Sequence, residues 1–403
     1  MLSLKYLPRT IFSDYFLYMR ACFSNFHAST TCLEVDLYNL LYKKSQSEQS
    51  TKQVTGAGTR LSSKSGKCRT RRQVCQLILD HFDSQYSQEL GDQWGSVRSV
   101  LLNPHCWQHG ALLNRFGDLA GVQSHLHSLG YHSLVPHSHS PASRSEPGSS
   151  HICSPLRCLL PEGVTRLPTQ RHRAGWLKQY YLLNAASLLP VLALQVRDGE
   201  KVLDLCSAPG GKALAVLQEA MPGLLRCNDV DESRSKWLQK TLQSYIPPAV
   251  LSTVTVTNTD GRAIGSAEPQ VYDKVLVDAP CSNDRSWLFT PGPQQGELWL
   301  RARTQLPHLQ KDLLCSALAA VRPGGMVVYS TCTLSRGENQ SVVEAVLTSC
   351  PGVELLDLEE ELIGSLSQHF TFARLQPPLG HLVVPEHGRT WGPMFVCRLR
   401  RLS

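Results

Sequence analysis

Two cysteines and one aspartate stand out for what their side chains can do. Asp278 and Cys281 fall in YDKVLVDAPCSNDRSWLF, residues 272–289, and Cys332 falls in GGMVVYSTCTLSRGEN, residues 324–339. Each run begins apolar and strand-like and then breaks at small and polar residues. Each thiol is therefore expected in a turn just past a strand end. A thiolate is a nucleophile, and a carboxyl group can act as acid or base. A buried cysteine is more often a small core hydrophobe. That reading suits Cys206, Cys227, Cys315, Cys350 and Cys397 better than the two turn cysteines. If the two strands are neighbours, both thiols face one crevice beside Asp278.

A second constellation lies upstream. In KVLDLCSAPGGK, residues 201–212, a strand runs into small residues and paired glycines, and a helix follows. Such a turn lets backbone N–H groups approach a ligand at a helix N-terminus. The spacing matches neither GxGxxG nor GxxxxGK[ST], which disfavours a dinucleotide or a nucleoside triphosphate. Asp229 and Asp231 follow the next strand in CNDVDE, and Asp260 follows the third in TDGR. Each acid alone reads equally well as a helix cap or turn residue. Three in order at successive strand ends point to an adenosyl pocket, with Asp229 in a crevice near the surface.

The elements that must position these groups alternate. Strands are expected at Lys201–Leu205, Leu224–Asn228, Thr253–Thr257, Lys274–Val277 and Met326–Ser330, with Val353–Asp357 and Met394–Leu399 completing the edge. Helices are expected at Gly211–Ala220, Glu232–Ser244, a short stretch after Gly261, Leu300–Val321 and Glu338–Ser349. Strand–helix alternation predicts an α/β fold with an open parallel sheet. Gln179–Val196 reads as a buried helix rather than a membrane span, because Asn184, Ser187 and Pro190 interrupt it. Upstream, Val74, Leu77, Ile78, Phe82 and Tyr86 keep helical spacing, and a second helix is expected over Trp94–Phe116.

The chain has 403 residues, 42% hydrophobic and 18% charged, enough to bury a core and to exclude a wholly disordered chain. Its net charge of +7 is concentrated in the first 75 residues, which carry twelve Lys/Arg against four Asp/Glu. Residues 1–33 have the composition of a mitochondrial presequence, and 34–71 read as a linker. Residues 72–172 form an N-terminal part with a His/Ser-rich loop at 132–151, and 173–403 form the main domain. His132, His137 and His139 lack partner ligands at metal-site spacing and read as loop residues. The fourteen cysteines show no CxxC pair, which favours reduced thiols. The basic runs RTRR (69–72), RHR (171–173) and RLRR (398–401) are possible phosphate contacts. Trp176, Tyr180 and Tyr181 could stack bases or fill a helix face.

Taken together, DLCSAPGGK, Asp229, TDGR, DAPCS and YSTCT…EN resemble the Sun/Fmu family of RNA cytosine-5 methyltransferases over roughly Arg173 to Leu399. The resemblance implies an S-adenosylmethionine-dependent methyltransferase sheet of seven strands with the last antiparallel, beside a small helical N-terminal RNA-binding part. It implies that Cys206, Ser207, Ala208, Pro209, Gly210, Gly211 and Lys212 line the methionine end of the cofactor. It assigns Asp229 to the ribose, Asp260 to the adenine, and Asp278 to the amino end of the cofactor or the target base. It makes Cys332 the nucleophile and Cys281 a helper in product release. Position 207 is Ser where Ala is usual, a change between small residues.

The implied chemistry accounts for two thiols. Addition of a thiolate at C6 of cytosine makes C5 nucleophilic, and a later step must release the enzyme. A protonated Asp278 at N3 would stabilise the developing charge. The wider sequence resembles family members that act in mitochondria on methionine tRNA at the wobble cytosine, which implies a location in the matrix. The alternatives are a small-subunit rRNA target in the same organelle and a catalytically silent RNA-binding assembly factor. A DNA-methylase-like assignment would instead make Cys281 the attacker.

Overall fold

The structure is a computed structural model describing residues 73–135, 154–173 and 175–403. The expected presequence at 1–33, the linker at 34–71, the RTRR run and residues 136–151 of the His/Ser-rich loop lie outside the described residues.

The main sheet is built from the apolar, β-branched runs read from the sequence. Strands β5 (Lys201–Asp204), β6 (Leu224–Asn228), β7 (Val254–Thr257), β8 (Tyr272–Asp278) and β9 (Val321–Thr331) pair in parallel, in the order β7–β6–β5–β8–β9. The last strand, β13 (Met394–Arg401), runs antiparallel beside β9. The far side of β13 is shared by β10 (Val353–Leu356) and β12 (His381–Val383), and β11 (Phe372–Ala373) pairs with β12. The expected sheet with an antiparallel closing strand is present, and two short strands bring it to nine among the described residues.

Helices at Gly211–Glu219, Glu232–Tyr245, Gly261–Ala267, Leu306–Ala320 and Gln340–Ser349 join these strands. The fully buried Val202, Leu203, Val275, Leu276 and Val277 show why β5 and β8 read as continuous apolar runs, since a central parallel strand is covered on both faces. Strand order reverses between β5 and β8. Their carboxyl ends therefore diverge into the crevice where ligands bind open α/β sheets.

Three expected helices are divided differently. The Leu300–Val321 stretch is two helices, Pro293–Arg303 and Leu306–Ala320, and the second starts afresh with Pro307 in its first turn. The Trp94–Phe116 stretch ends as a helix at Leu101. Asn103 and Pro104 then make a tight turn, and the chain continues as β1 (Gly110–Leu113). Gln179–Val196 holds β4 (Tyr180–Leu183), a turn at Ala185–Leu188 and only a short helix, Leu189–Leu194. Asn184 accepts the Ala186 N–H at 3.2 Å and so stops the strand, while Pro190 opens the helix. Among the described residues no helix is long and apolar enough to cross a membrane.

The N-terminal part has helices at Gln76–Leu90, Gln93–Leu101 and Leu119–Ser128, and adds an antiparallel sheet in the order β2 (Tyr131–Ser133), β3 (Cys158–Pro161), β1, β4. His132 lies on β2 and stacks on His369, ring centres 5.6 Å apart, so it belongs to a packed strand. The first helix buries Ile78, Phe82 and Tyr86 in one core with Trp287, Trp299 and the β8–β9 side of the main sheet. It is joined to the main sheet by a shared core.

Helices Gly261–Ala267 and Leu306–Ala320 approach so closely that a Cβ on Gly265 would collide with the Ser316 carbonyl oxygen. Ser316 Oγ accepts the Gly265 N–H at 2.9 Å and donates to the Gly261 carbonyl at 2.7 Å. Gly265→Ala should destabilise the fold by about 1–3 kcal/mol, the usual cost of overpacking. The urea midpoint measures it, and an unchanged midpoint would mean that the helices do not need this approach.

Candidate active site

The glycine turn is held from three sides. Ser207 N–H donates to the Asn228 carbonyl at 2.7 Å, and Gly210 N–H to the Ser207 carbonyl at 2.8 Å. Gly210 has φ +106°, a conformation that favours glycine, and it starts the helix Gly211–Glu219. A Cβ on Gly211 would lie 3.0 Å from the Tyr181 ring, so the β4 strand presses against the turn. An open cleft results. Its walls include Tyr181, Asp204, the 206–209 turn, Gly211, Lys212 and Asp278.

Asp204, at the end of the expected strand Lys201–Leu205, is the buried acid of this cleft. Neither of its oxygens nor the Ser207 hydroxyl has a hydrogen-bond partner among the described residues. Burial pushes the Asp204 carboxyl up to about 7 against the neighbouring Ser207 hydroxyl and the Lys212 charge, and the nearby Asp278 and Asp229 add to the rise. Its signal in the sequence is a carboxylate directly after the apolar pair Val202–Leu203 at the end of a strand.

The other acids are distributed differently. Asp229 is 2% exposed rather than in a surface crevice. It accepts the Ala208 N–H at 3.2 Å and the Asp231 N–H at 3.0 Å, and Arg234 stands 3.3 Å away. It therefore braces the glycine turn. Burial raises its pKa, against the Arg234 charge and the two backbone bonds. Asp231 caps the helix Glu232–Tyr245 by accepting the Arg234 N–H at 2.8 Å. Asp260 caps Gly261–Ala267 and pairs with Arg262 at 2.6 Å. The Arg262 hydrogen bond holds its carboxyl below the usual range. Neither Asp229 nor Asp260 is part of the cleft wall described above.

The thiols meet because of strand register. Asp278 on β8 pairs with Ser330 on β9, and Ser330 Oγ donates to Asp278 Oδ1 at 2.9 Å. Lys212 Nζ donates to Asp278 Oδ2 at 2.7 Å. Cys281 follows three residues beyond this row and Cys332 two. Their sulfurs lie 3.3 Å apart, and the Cys332 N–H points at Cys281 Sγ at 3.2 Å. Cys281 is 1% exposed, and burial, then the Cys332 contact, pushes its thiol well up. Cys332 is half-buried, the more open of the two.

Behind the thiols lies a network whose function was not read from the sequence. Glu338 accepts from Ser282 N–H at 2.9 Å, from the Ser282 hydroxyl and from Gln310 Nε2 at 3.0 Å, and it pairs with Arg303 at 3.4 Å. Gln310 also donates to the Pro280 carbonyl at 2.8 Å. Asp284 accepts from Thr333 Oγ1 at 3.0 Å, Leu334 N–H at 2.7 Å and Tyr86 OH at 2.8 Å. Arg303 donates to Tyr86 OH at 2.6 Å, which ties both halves together. Burial pushes Asp284 up to about 7. Burial also works against the Arg303 charge, but Tyr86, Glu338 and Asp284 hold its pKa above the ordinary value. Each loop that carries a thiol is thus bonded to a carboxylate from the other. Glu338→Gln should cost about 3–5 kcal/mol, as breaking a buried ion pair does, and should reduce turnover more than cofactor affinity. Thermal unfolding and cofactor titration check this, and wild-type stability would contradict the clamp.

The sequence model of the 16S rRNA methyltransferase RsmB/F family matches residues 191–400. A Danio rerio protein named tRNA (cytosine(34)-C(5))-methyltransferase, mitochondrial, is 61% identical over 82% of this chain and 89% of its own length. Its Mus musculus namesake is 48% identical over 85% and 95%. The Mus musculus 5-cytosine rRNA methyltransferase NSUN4 is 40% identical over 81% and 89%. Among solved structures, a methyltransferase homolog protein from Pyrococcus horikoshii superposes with a TM-score of 0.54 at 22% identity over 81% of this chain and 98% of its own, a likeness of fold. Motifs, fold and relatives agree, and the chain belongs to the RsmB/F family of S-adenosylmethionine-dependent RNA (cytosine-5) methyltransferases.

Proposed function

We propose that this enzyme methylates C5 of the wobble cytosine in the anticodon of mitochondrial methionine tRNA, in the mitochondrial matrix, with Cys332 as nucleophile and Cys281 as the thiol of release. The observation that carries the chemistry is the pair of sulfurs 3.3 Å apart beside Asp278. The tRNA target rests on the 61% and 48% identity to relatives named for cytosine 34, against 40% to the rRNA enzyme. Their names and the basic leader composition support the organelle.

The cleft suits S-adenosylmethionine. Its wall carries the buried carboxyl of Asp204 and the Lys212–Asp278 ion pair, polar groups able to meet the amino and carboxylate ends of such a ligand, and the turn that opens the helix at Gly211 adds N–H groups for a carboxylate. The cofactor supplies an electrophilic methyl group. Asp229 acts on this site through Ala208, as a brace for the turn, and Asp260 stands at the end of β7 with Arg262, where the adenine is expected.

Cys332 is the better attacker because it is the more open thiol. Its sulfur bonds to C6 of cytosine, and the C5=C6 electron pair makes C5 nucleophilic. After methylation the C5 proton leaves to a base, the C5=C6 bond re-forms and the C6–S bond breaks. Cys281 sits against the bonded sulfur and acts in this second half. Asp278 accepts from Lys212 and Ser330, so the target base reaches its carboxylate only by displacing one of these bonds.

Labelled cofactor should transfer methyl to a methionine-tRNA anticodon stem-loop, and replacing cytosine 34 by uridine should abolish transfer. Preference for a small-subunit rRNA fragment would overturn the tRNA reading. Cys332→Ala should lose both methylation and any covalent species. Cys281→Ala should stall with RNA attached, as a slow band on a denaturing gel, and the double variant should lose the band. The reverse pattern would make Cys281 the attacker.

Asp204→Asn should weaken cofactor binding about tenfold or more, the scale of one lost charge-assisted hydrogen bond. It should also change the pH dependence of stability. A buried acid whose folded pKa is raised to about 7 destabilises the free enzyme increasingly as pH rises from its ordinary value through 7. The Asn variant should therefore gain stability relative to wild type over pH 4–8. A parallel pair of stability curves would contradict this assignment.

A further inference from the structure

The run from Gly163 to Gln179 contains Arg166, Arg171, Arg173 and Lys178 and no acidic residue. Its second half is a pinned hairpin. Gln170 Oε1 accepts the Gln179 N–H at 2.6 Å, Gln170 Nε2 donates to Gln179 Oε1 at 3.0 Å, and Tyr180 OH donates to the Pro168 carbonyl at 2.7 Å. At the tip Arg173 and Trp176 bridge, with Trp176 N–H donating to the Arg173 carbonyl at 3.1 Å.

The tip residues Arg171, His172 and Arg173 are all exposed. Trp176 is 74% exposed, the most open of the exposed large apolar side chains described. Holding an indole in water on a braced turn has an unfavourable hydration cost that a ligand would relieve. The hairpin runs directly into β4, whose Tyr181 forms part of the cleft wall. Five residues of extended chain place Trp176 within about 18 Å of that wall. The comparable basic run at the chain end is already engaged. Arg398 pairs with Glu361, Arg400 with Glu354, and Arg401 bonds to backbone carbonyls.

We propose that this hairpin grips unpaired RNA next to the target nucleotide, with Trp176 stacked on a base and Arg171 and Arg173 on the flanking phosphates. The proposal rests on the RNA-methylating reading above and names where the strand is held. Indole faces stack on any base, and guanidinium groups supply the sequence-independent phosphate attraction. A folded RNA offers such bases in loops rather than in its helices, whose bases are already stacked on each other.

The test uses the full chain and a methionine-tRNA anticodon stem-loop, with a duplex of equal length for comparison. Trp176→Ala should weaken stem-loop binding roughly 5- to 150-fold, the range for one base-stacking contact. Trp176→Phe should restore most of the loss, and cofactor binding and thermal unfolding should not move. KM for RNA should rise while kcat stays within about twofold. Arg171→Gln with Arg173→Gln should lower the salt slope of binding by about 1.4, for two phosphates on a single strand. Unchanged affinity and KM in Trp176→Ala, with a wild type that methylates the stem-loop, would overturn this proposal alone. Reduced RNA affinity in Trp176→Ala, with a wild type that methylates no RNA, would support the grip and overturn the catalytic reading. A wild type that binds no RNA would overturn both.

Discussion

The structure depends on a buried cluster in which Glu338, Arg303, Asp284 and Tyr86 need one another. Glu338 is 1% exposed, and a charge so far from water is tolerated only when paired and hydrogen-bonded. Its oxygens are used by the Ser282–Gln310–Arg303 set, and Asp284 is used by Tyr86, Thr333 and Leu334. The partners come from the first helix, from both turns that carry a thiol, and from the two helices after β8. The cluster therefore converts a correctly packed fold into one sulfur–sulfur distance. A site made from two loops needs such support, because a displacement of about 1 Å is enough to lose most of the rate.

A second constraint comes from topology. The β5 and β8 ends diverge at the reversal of strand order, and each leaves an acid there, Asp204 and Asp278. Asp278 is satisfied by Lys212 and Ser330, while among the described residues Asp204 has only the Ser207 hydroxyl near its carboxyl and no hydrogen bond of regular geometry. A buried polar group left without a good partner costs stability, and at the wall of a cleft it is available to a ligand. Asp229 accepts the Ala208 and Asp231 N–H groups, so a residue outside the cleft wall shapes the turn that forms it.

The parallel strands were legible because burial on both faces makes them apolar runs that end in Gly, Pro and Asp. The thiols and the glycine turn were legible because these endings carry unusual residues. The N-terminal strands were harder, since β1 and β4 are four residues each and sit inside longer apolar stretches that also fit helices. The cluster around Glu338 was out of reach for a different reason. Tyr86 is 198 residues from Asp284 and 217 from Arg303, and a lone Glu or Arg in a sequence reads as surface charge. Asp231 and Asp260 illustrate the converse limit: the same Asp at a strand end suits a helix cap and a ribose or adenine equally, and only the capping bonds tell which role the fold already uses.

The central claim is that this scaffold presents Cys332, not Cys281, to C6 of the base. The most direct measurement replaces the target cytosine by 5-fluorocytosine, whose C5 cannot lose a proton after methylation, and maps the trapped RNA–peptide bond by mass spectrometry. The arrangement of an open Cys332 backed by a buried Cys281 predicts a methylated base attached to the peptide containing Cys332, with the Cys281 thiol still free to alkylate after denaturation. A base attached to Cys281 would contradict it.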